Sequence, residues 1–342
     1  MPPQPAQSPA SRAKVAGVVL FYLFAALSMV MANKWVLNDT KAPLFFLTTQ
    51  LFIAVCLFLI ADTLRMLPDR LTFDTKVCKG LVPMVGLSVL GLSLSNYTLK
   101  YVDASVYQVA RGLVLPFTVG VSGAILHTRP SLRILFACAI VTSGFFCGVF
   151  LDRIPMSLMG VGFGIASSTV TATHSVVIKQ SLDVVNKSTI LLSWYTNLLS
   201  IFVLAPIVFL VEGTHVMKLL FDVEELNHEP GKMSPLRTFV VGSLITGVVG
   251  FMMSLASLLS IKVTSPITHM VSSAVRGVAA SLLGMWLFSE VVSAGRAASI
   301  AIILGGSVYY TWVKHLETEA AKEGYDRVPM NDLERGQKPP PE

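Results

Sequence analysis

The sequence predicts an all-α polytopic membrane protein in which ten transmembrane helices form two inverted five-helix repeats. Composition is the first reason: 53% of the 342 residues are hydrophobic and only 13% are charged, whereas a soluble domain carries about 25% charged residues. The second reason is a series of apolar segments, each near the roughly 20 residues that cross a bilayer. The third is a motif shared by the fourth and ninth segments. Because hydrocarbon offers no water to backbone groups, each segment must be a helix.

Short polar connections separate the apolar segments, so almost nothing of the chain is left for a soluble domain. Residues 1–13 are polar and rich in proline, which predicts a disordered cytosolic N-terminus rather than a cleaved signal peptide. A first five-helix repeat follows over residues 14–151, then a second over 152–314 and a disordered cytosolic tail over 315–342. The apolar segments cover residues 14–37, 43–64, 80–99, 104–127, 131–151, 156–180, 189–212, 237–260, 265–288 and 293–314.

Two connections stand out by length and composition. Residues 65–79 mix charged with apolar side chains, and the sequence leaves open whether they form a short surface helix. Residues 213–236 form the longest connection and carry several acidic side chains. We expect both connections to lie outside the hydrocarbon.

The distribution of lysine and arginine predicts the orientation of the chain. Short connections on the side of the N-terminus are richer in basic residues than those on the opposite side, as at Arg65, Arg70, Lys76 and Lys79. Basic residues concentrate on the cytosolic side of membrane proteins, so we expect both termini in the cytosol. The net charge of +6 therefore reflects topology and does not indicate nucleic-acid binding.

Several kinds of active site are absent from the sequence. It contains no phosphate-binding loop of an ATP-driven motor, no zinc-ligand pattern and no nucleophile elbow. We therefore expect neither an enzyme nor a metal or other cofactor, and His174 and His269 are only loose candidates for acid–base chemistry. The cysteines show no paired spacing and are interpreted as small buried hydrophobic residues; they are Cys56, Cys78, Cys138 and Cys147.

A weak internal repeat links residues 99–113 with residues 261–277. Aligning Lys100 with Lys262 places Tyr107 on His269. Both stretches begin a helix, the fourth and the ninth, so the repeat unit contains five helices. An odd number of helices inserts the two halves with opposite orientation, which is typical of transporters whose binding site lies at the midplane between the halves.

Two arginines lie deep within predicted spans. At 1.5 Å per helical residue, Arg276 is about 16 Å into the ninth segment and Arg111 is about 12 Å into the fourth. A central intramembrane arginine costs roughly 2.5–3.5 kcal/mol on insertion scales. No acidic residue occupies the interior of any predicted span, which disfavours an ordinary proton-coupled carrier. Because guanidinium groups bind phosphate bidentately, the pair predicts exchange of one phosphate-bearing anion for another.

Further polar residues accompany the two arginines. His269, Ser273 and Arg276 fall on one helix face at i, i+4 and i+7, and Tyr107 lies one turn before Arg111. As a set, the polar residues inside spans have the donors and acceptors that a base and a sugar require. For any one of them, a hydrogen bond between helices is the better explanation. The set comprises Gln50, Asn96, His174, Tyr195, Asn197 and Thr268.

Small residues and prolines predict how the helices pack. Two pairs at four-residue spacing, Gly144 with Gly148 and Gly160 with Gly164, favour close helix contacts within the bundle. Three prolines lie mid-span and can kink their helices: Pro83, Pro116 and Pro206.

Several motifs resemble those of the nucleotide-sugar transporters of the drug/metabolite transporter superfamily, and most of all the GDP-fucose transporter branch. The resemblance extends over about residues 15–315. The motifs are Leu99-Lys100-Tyr101-Val102, Tyr107-Gln108-Val109-Ala110-Arg111, Thr264-Ser265-Pro266-Ile267-Thr268-His269-Met270-Val271-Ser272, and Gly305-Gly306-Ser307 with Tyr310-Thr311-Trp312-Val313.

The resemblance implies a ten-helix antiporter in the Golgi membrane, with the endoplasmic reticulum as the alternative. It implies exchange of a cytosolic nucleotide sugar, with GDP-fucose as the best guess, for a lumenal nucleoside monophosphate by alternating access. The expected partners are these two ligands and membrane lipid, with a homodimer possible and no nucleic acid. A UDP-xylose or UDP-galactose transporter, a triose-phosphate type of carrier, a membrane-embedded enzyme, and a structural or receptor role remain alternatives.

The resemblance also implies which residues contact the substrate. Related GDP-sugar carriers have a Phe-Tyr-Asn-Asn motif in the seventh helix, which Tyr195 and Asn197 match and Trp194 and Thr196 do not. A Gly-Ala-Leu-Asn-Lys motif in the ninth helix is represented by residues 272–276, where Arg276 keeps the charge. Together with the residue patterns, this predicts a substrate site of Arg276, Arg111, Tyr195, Asn197, Tyr107, His269, Ser273, Ser272, Asn96 and Gln50.

Overall fold

A computed structural model describes residues 12–127, 129–150, 157–221, 234–263 and 266–326. Every regular element in these ranges is an α-helix. The helices are α1 (Arg12–Asp39), α2 (Pro43–Thr63), α3 (Thr75–Tyr101), α4 (Ala104–Gly112), α5 (Val114–Leu126), α6 (Leu132–Phe150), α7 (Leu158–Val184), α8 (Thr189–Phe221), α9 (Pro235–Val263), α10 (Pro266–Phe288) and α11 (Ala294–Asp326).

Eight stretches among the described residues are long and apolar enough to cross a membrane. They correspond to the first eight predicted segments, which confirms an all-helical, multi-pass membrane protein. The fourth stretch, Ala104–Ile125, combines α4 and α5. Helices α10 and α11 occupy the ninth and tenth predicted segments, where the described part of α10 contributes a shorter apolar helix, Val275–Phe288. The ten-helix inverted repeat stays a prediction.

The connection after α2 does not contain the surface helix that the sequence left open. Helix α2 ends where Arg65 adopts a left-handed backbone with φ 55°. The backbone then runs without helix until Asp74, whose side chain accepts a hydrogen bond from the Lys76 amide at 2.8 Å. Such an N-cap satisfies an amide that has no partner within the helix, so α3 begins at Thr75.

Two helices extend by more than two turns beyond their predicted ends. Helix α8 continues past residue 212 to Phe221, and α11 continues past residue 314 to Asp326, through the start of the tail that the sequence predicts to be disordered. The remainder of the acidic connection, residues 222–233, and the tail from 327 lie outside the described residues, as does the N-terminus before Arg12.

The fourth predicted span is broken into α4 and α5 at Leu113. Proline has no backbone N–H, and its ring collides with the carbonyl four residues earlier, which for Pro116 is that of Gly112. The backbone responds with a tighter turn, in which the Leu113 amide donates to the Ala110 carbonyl at 3.1 Å. The break confirms the predicted kink at Pro116 and leaves Arg111 in the last turn of α4. Pro83 and Pro206 lie inside α3 and α8, which continue through them without a break.

Glycines allow the principal helix pairs to approach closely. Helix α3 packs against α7, α1 against α9, and α6 against α11. A side chain on Gly144 would collide with Ile303 of α11 at 2.8 Å, and one on Gly164 would collide with Ala110 of α4 at 2.7 Å. The predicted close contacts within the bundle are therefore confirmed, and the second of them presses α4, next to Arg111, onto α7.

We expect Gly164→Ala to lower the free energy of unfolding by about 1–3 kcal/mol, because the added methyl overpacks the contact with Ala110. Gly162→Ala is the matched control on the same helix, since nothing lies within 4 Å of a Cβ at Gly162. It should leave stability unchanged or raise it by up to about 1 kcal/mol. Thermal unfolding of the two purified variants in detergent measures the difference, and equal melting temperatures would contradict the close contact.

Candidate functional site

Two arginines from different helices line one cavity inside the bundle. Arg111 of α4 and Arg276 of α10 both face a space of about 430 Å³. We call this space the arginine lobe. Its wall also contains polar and apolar side chains of α4, α5, α7 and α11, among them Gln108, Leu115, Thr118, Thr171, Ile300, Ile303, Leu304, Ser307 and Tyr310.

Each arginine donates a hydrogen bond to a tyrosine hydroxyl. Arg111 Nη1 donates to Tyr107 Oη at 2.9 Å, and Arg276 Nη1 donates to Tyr22 Oη at 3.2 Å. Tyr107 also shares a hydrogen bond of 2.9 Å with Ser95 Oγ. A phenol oxygen accepts a hydrogen bond without bearing a formal charge, so these two bonds orient the guanidinium groups without neutralising them.

Tyr22 is a site residue that sequence reasoning missed. It lies on α1, is buried, and touches Arg276 across the bundle. The available signal was a tyrosine in an otherwise aliphatic and phenylalanine-rich first span. The repeat alignment concerns the fourth and ninth helices and carries no information about the first helix.

A second, smaller space adjoins the arginine lobe. It measures about 160 Å³ and lies between α3, α4 and α7. Arg111, Val114 and Thr171 line both spaces. We call it the hydroxyl lobe, because its other polar wall residues are Ser88, Ser95, Thr98, Tyr107, Ser167, Ser168 and His174.

Four of the predicted substrate residues do not line either lobe. The Tyr195 hydroxyl is buried and accepts a hydrogen bond from the Asp74 amide at 2.8 Å. Gln50 Nε2 donates to Asn33 Oδ1 of α1 at 2.8 Å. Both bonds connect neighbouring elements, as the sequence allowed for any single polar residue. Asn96 is buried, with no partner for Nδ2 among the described residues, and Asn197 is half-buried on α8.

The remaining predicted residues, His269, Ser272 and Ser273, belong to α10 by their backbone. Their side chains lie outside the part of the chain that the structure describes. Their proposed contact with substrate therefore stays a prediction. Of the ten predicted substrate residues, the structure brings together Arg111, Arg276 and Tyr107.

Charged side chains close one end of the bundle around the start of α4. Both carboxylate oxygens of Glu290, in the connection between α10 and α11, accept from the Ala104 amide at 2.9 and 3.0 Å. Arg296, which is 1% exposed, pairs with Asp103 at 2.7 Å. Lys34 of α1 donates to the Leu99 and Val102 carbonyls at the end of α3. These bonds tie α1, α3, α4 and α11 together at that end.

Glu212 performs the same task at the start of α2, and it corrects the expectation that spans contain no acidic residue. Because α8 continues past position 212, this side chain is only 3% exposed. Its carboxylate accepts from the Leu44 and Phe45 amides at 2.9–3.0 Å and from the Tyr97 hydroxyl at 3.1 Å. A carboxylate is stabilised at the positive end of the helix dipole, so Glu212 has a structural role here.

The chain is similar to known transporters over nearly its whole length. The family model described as the Triose-phosphate Transporter family matches residues 13–311. A protein named GDP-fucose transporter 1 from Monosiga brevicollis is 29% identical over 329 residues, 93% of this chain and 94% of the relative. The GDP-fucose transporter, Golgi, of Drosophila melanogaster is 30% identical, covering 89% of this chain and 91% of the relative.

A solved crystal structure shows the same fold. It superposes with a TM-score of 0.51 at 16% sequence identity, and the match covers 90% of this chain and 100% of the other. At this identity the likeness concerns the fold alone.

Glu290 generates a testable pH dependence. Burial raises the pKa of its carboxyl above the ordinary value of 4.5, so the folded protein holds this proton more tightly than the unfolded chain. This carboxyl therefore lowers stability as the pH rises from 4.5 through the folded-state pKa. As the pH rises through this range, we expect the melting temperature of the wild-type protein to fall relative to that of Glu290→Gln.

The measurement is a series of thermal unfolding curves in detergent at successive pH values. Asp183→Asn, at an exposed position near the end of α7, is the control and should track the wild type at every pH. A constant difference between wild type and Glu290→Gln at all pH values would show that burial does not perturb this carboxyl.

Proposed function

Because the chain belongs to the Triose-phosphate Transporter family, we propose that it is a nucleotide-sugar transporter whose substrate is GDP-fucose. The family is one of transporters, so the protein is a transporter and not an enzyme. The relatives named GDP-fucose transporter favour this substrate. The observation that carries the proposal is the pair Arg111 and Arg276 on the wall of one internal lobe.

Two guanidinium groups at one lobe match the diphosphate of a nucleotide sugar. Each group presents a planar fork of donors that binds phosphate oxygens in pairs. Within the described residues, no aspartate or glutamate lines either lobe. In the low dielectric of the bundle interior, the attraction between these fixed charges and an anion is stronger than in water.

Helix pairing supports the proposed inverted repeat. If α1–α6 and α7–α11 are two copies, then α1 corresponds to α7, and α3 corresponds to α9. The packing of α1 on α9 and of α7 on α3 is then the same contact made twice. The contacts of α6 with α11 and of α4 with α10 join corresponding helices, as a two-fold relation requires.

The closed end supports alternating access in a Golgi membrane. With the N-terminus in the cytosol, the end held by Glu290, Asp103 and Arg296 faces the lumen. The arginine lobe extends away from that end along α5 and α11, to Thr118 and Tyr310. In our proposal this is the state that accepts substrate from the cytosol. Release into the lumen then requires the contacts of Glu290, Asp103 and Arg296 to break.

Exchange follows from the fixed charge of the lobe. An empty cavity with two guanidinium groups has a large electrostatic cost in the occluded state, because its charges lose contact with water. A nucleoside monophosphate bound at the same arginines neutralises part of that charge. We therefore propose antiport, in which binding of the lumenal monophosphate allows the transporter to return from the lumen-facing to the cytosol-facing state.

A UDP-sugar is the second candidate substrate. The motif that Tyr195 and Asn197 share with GDP-sugar carriers is incomplete, because Trp194 and Thr196 depart from it, and neither Tyr195 nor Asn197 lines a lobe. Phosphate recognition by Arg111 and Arg276 is the same for either base. The nucleotide specificity must therefore be measured directly.

We expect GMP and GDP-fucose to raise the melting temperature of the purified protein by several degrees, because a ligand that binds only the folded state stabilises it. Arg276→Ala and Arg111→Ala should lose most of this shift. Arg237→Ala, at an exposed position at the start of α9, is the matched control and should keep it.

The panel also contains UMP, CMP, AMP, GDP-mannose and UDP-galactose. A shift with UMP and UDP-galactose instead of the guanine ligands would move the substrate to a UDP-sugar and keep the mechanism. No shift with any nucleotide, from protein that melts cooperatively, would contradict nucleotide-sugar transport.

Antiport predicts that proteoliposomes preloaded with GMP take up labelled GDP-fucose much faster than empty ones, because the empty carrier returns slowly. Initial uptake rates at matched protein density provide the measurement, with the Arg276→Ala protein as the inactive control. Equal initial rates in loaded and empty vesicles would exclude obligate exchange and leave a uniporter.

A further inference from the structure

The hydroxyl lobe has a composition that phosphate binding does not explain. Apart from Arg111 at its boundary, its polar wall is made of serine, threonine and tyrosine hydroxyls with the imidazole of His174. These groups hydrogen-bond to neutral ligands. A phosphate held at Arg111 would lie at the junction of the two lobes, so whatever is attached to that phosphate can extend into this space.

Three of the wall hydroxyls already donate their protons to backbone carbonyls. Thr98 Oγ1 donates to the Leu94 carbonyl at 2.7 Å. Ser168 Oγ donates to the Ala110 carbonyl at 2.8 Å, and Ser167 Oγ donates to the Gly91 carbonyl at 3.3 Å. Each oxygen retains lone pairs that accept hydrogen bonds. The lobe therefore offers acceptors, which suits a ligand that is rich in hydroxyl donors.

His174 gives an independent indication of a ligand. Its Nε2 atom is buried and has no hydrogen-bond partner among the described residues. Leaving a buried polar atom without a partner costs about 1–3 kcal/mol, so a partner supplied by a ligand would remove a penalty that the protein otherwise carries. A neutral imidazole nitrogen can donate to or accept from a sugar hydroxyl, according to its tautomer.

The sizes of the two lobes indicate which end of the substrate each lobe binds. The hydroxyl lobe measures about 160 Å³ and the arginine lobe about 430 Å³. The larger lobe combines Tyr310 with aliphatic faces such as Ile303 and Leu304, and these surfaces suit a base with its ribose. The smaller lobe has the room and the polarity for a single sugar ring.

We propose that the hydroxyl lobe binds the sugar of the nucleotide sugar, and that His174 is a specificity residue that recognises a sugar hydroxyl. This inference rests on the proposed function, because it takes the diphosphate to lie at Arg111 and Arg276. It assigns the two parts of the substrate to different helices. Helices α3, α4 and α7 bind the sugar, while α4, α10 and α11 bind the nucleotide.

The test compares GDP-fucose with GDP, which share the guanosine and both phosphates. GDP lacks the sugar and has an unesterified terminal phosphate, so the Kd of each ligand is compared between wild type and variant. His174→Ala should weaken GDP-fucose binding roughly tenfold, the equivalent of one good hydrogen bond, and leave the Kd of GDP within about twofold of wild type. His215→Ala, at an exposed position on α8, is the matched control and should change neither Kd. Isothermal titration of the purified full-length protein gives both constants.

Gly91→Ala provides a second variant in case the loss of His174 disturbs folding. A Cβ at Gly91 would lie 3.4 Å from Val170 Cγ1 and 3.7 Å from Thr171 Oγ1. These are ordinary van der Waals distances, so α3 and α7 can keep their positions. The methyl narrows the hydroxyl lobe, and we expect it to weaken GDP-fucose binding severalfold while GDP binding is retained.

The outcomes separate this inference from the proposed function. Wild-type binding of both ligands, with a selective loss for GDP-fucose in His174→Ala and Gly91→Ala, would establish the sugar lobe. Equal weakening of both ligands, or no change in either, would overturn the lobe assignment and leave nucleotide-sugar transport intact. If wild type binds only uridine ligands, UDP-galactose and UDP replace the guanine pair. Failure to bind any nucleotide would instead reject the proposed function.

Discussion

The positive charge that Arg111 and Arg276 hold inside the bundle is the constraint around which the helices are arranged. A charge far from water is tolerated only when hydrogen bonds and a cavity compensate for it. Tyr107 and Tyr22 orient the two guanidinium groups from neutral oxygens. The break between α4 and α5 at Pro116 ends α4 directly after Arg111, whose side chain lines both lobes.

Within the part of the chain that the structure describes, no acidic side chain lines either lobe. Glu212 is bound to the N-terminus of α2 and Glu290 to that of α4, while Asp103 is paired with Arg296. Each carboxylate is therefore satisfied by helix amides or by a different cation. The same groups close one end of the bundle, so a single set of interactions both stabilises the closed end and reserves the arginine lobe for an anionic ligand.

Most of the fold was predictable because transmembrane helices are specified by local composition. Eight of the predicted segments correspond to stretches that are long and apolar enough to span, and the Gly144 and Gly164 contacts were expected from spacing alone. The ends of α8 and α11 were not, because their last turns are polar enough to resemble connections. Glu212 illustrates the difficulty. A glutamate at the end of an apolar run indicates that the chain has reached the membrane–water interface, unless its buried hydrogen-bond partners are known.

The sequence by itself determined the class of protein, the two arginines and the tyrosine one turn before Arg111, since each depends on local pattern or helical spacing. The tertiary structure decided which polar residues share a cavity. Gln50 and Tyr195 have the chemistry of substrate ligands, yet their hydrogen bonds join neighbouring elements, whereas Tyr22 contacts Arg276 and His174 lines the hydroxyl lobe. The physical reason is that one polar residue in a span serves equally well as a helix–helix bond or as a ligand contact, and only the packing of other helices around it selects between them.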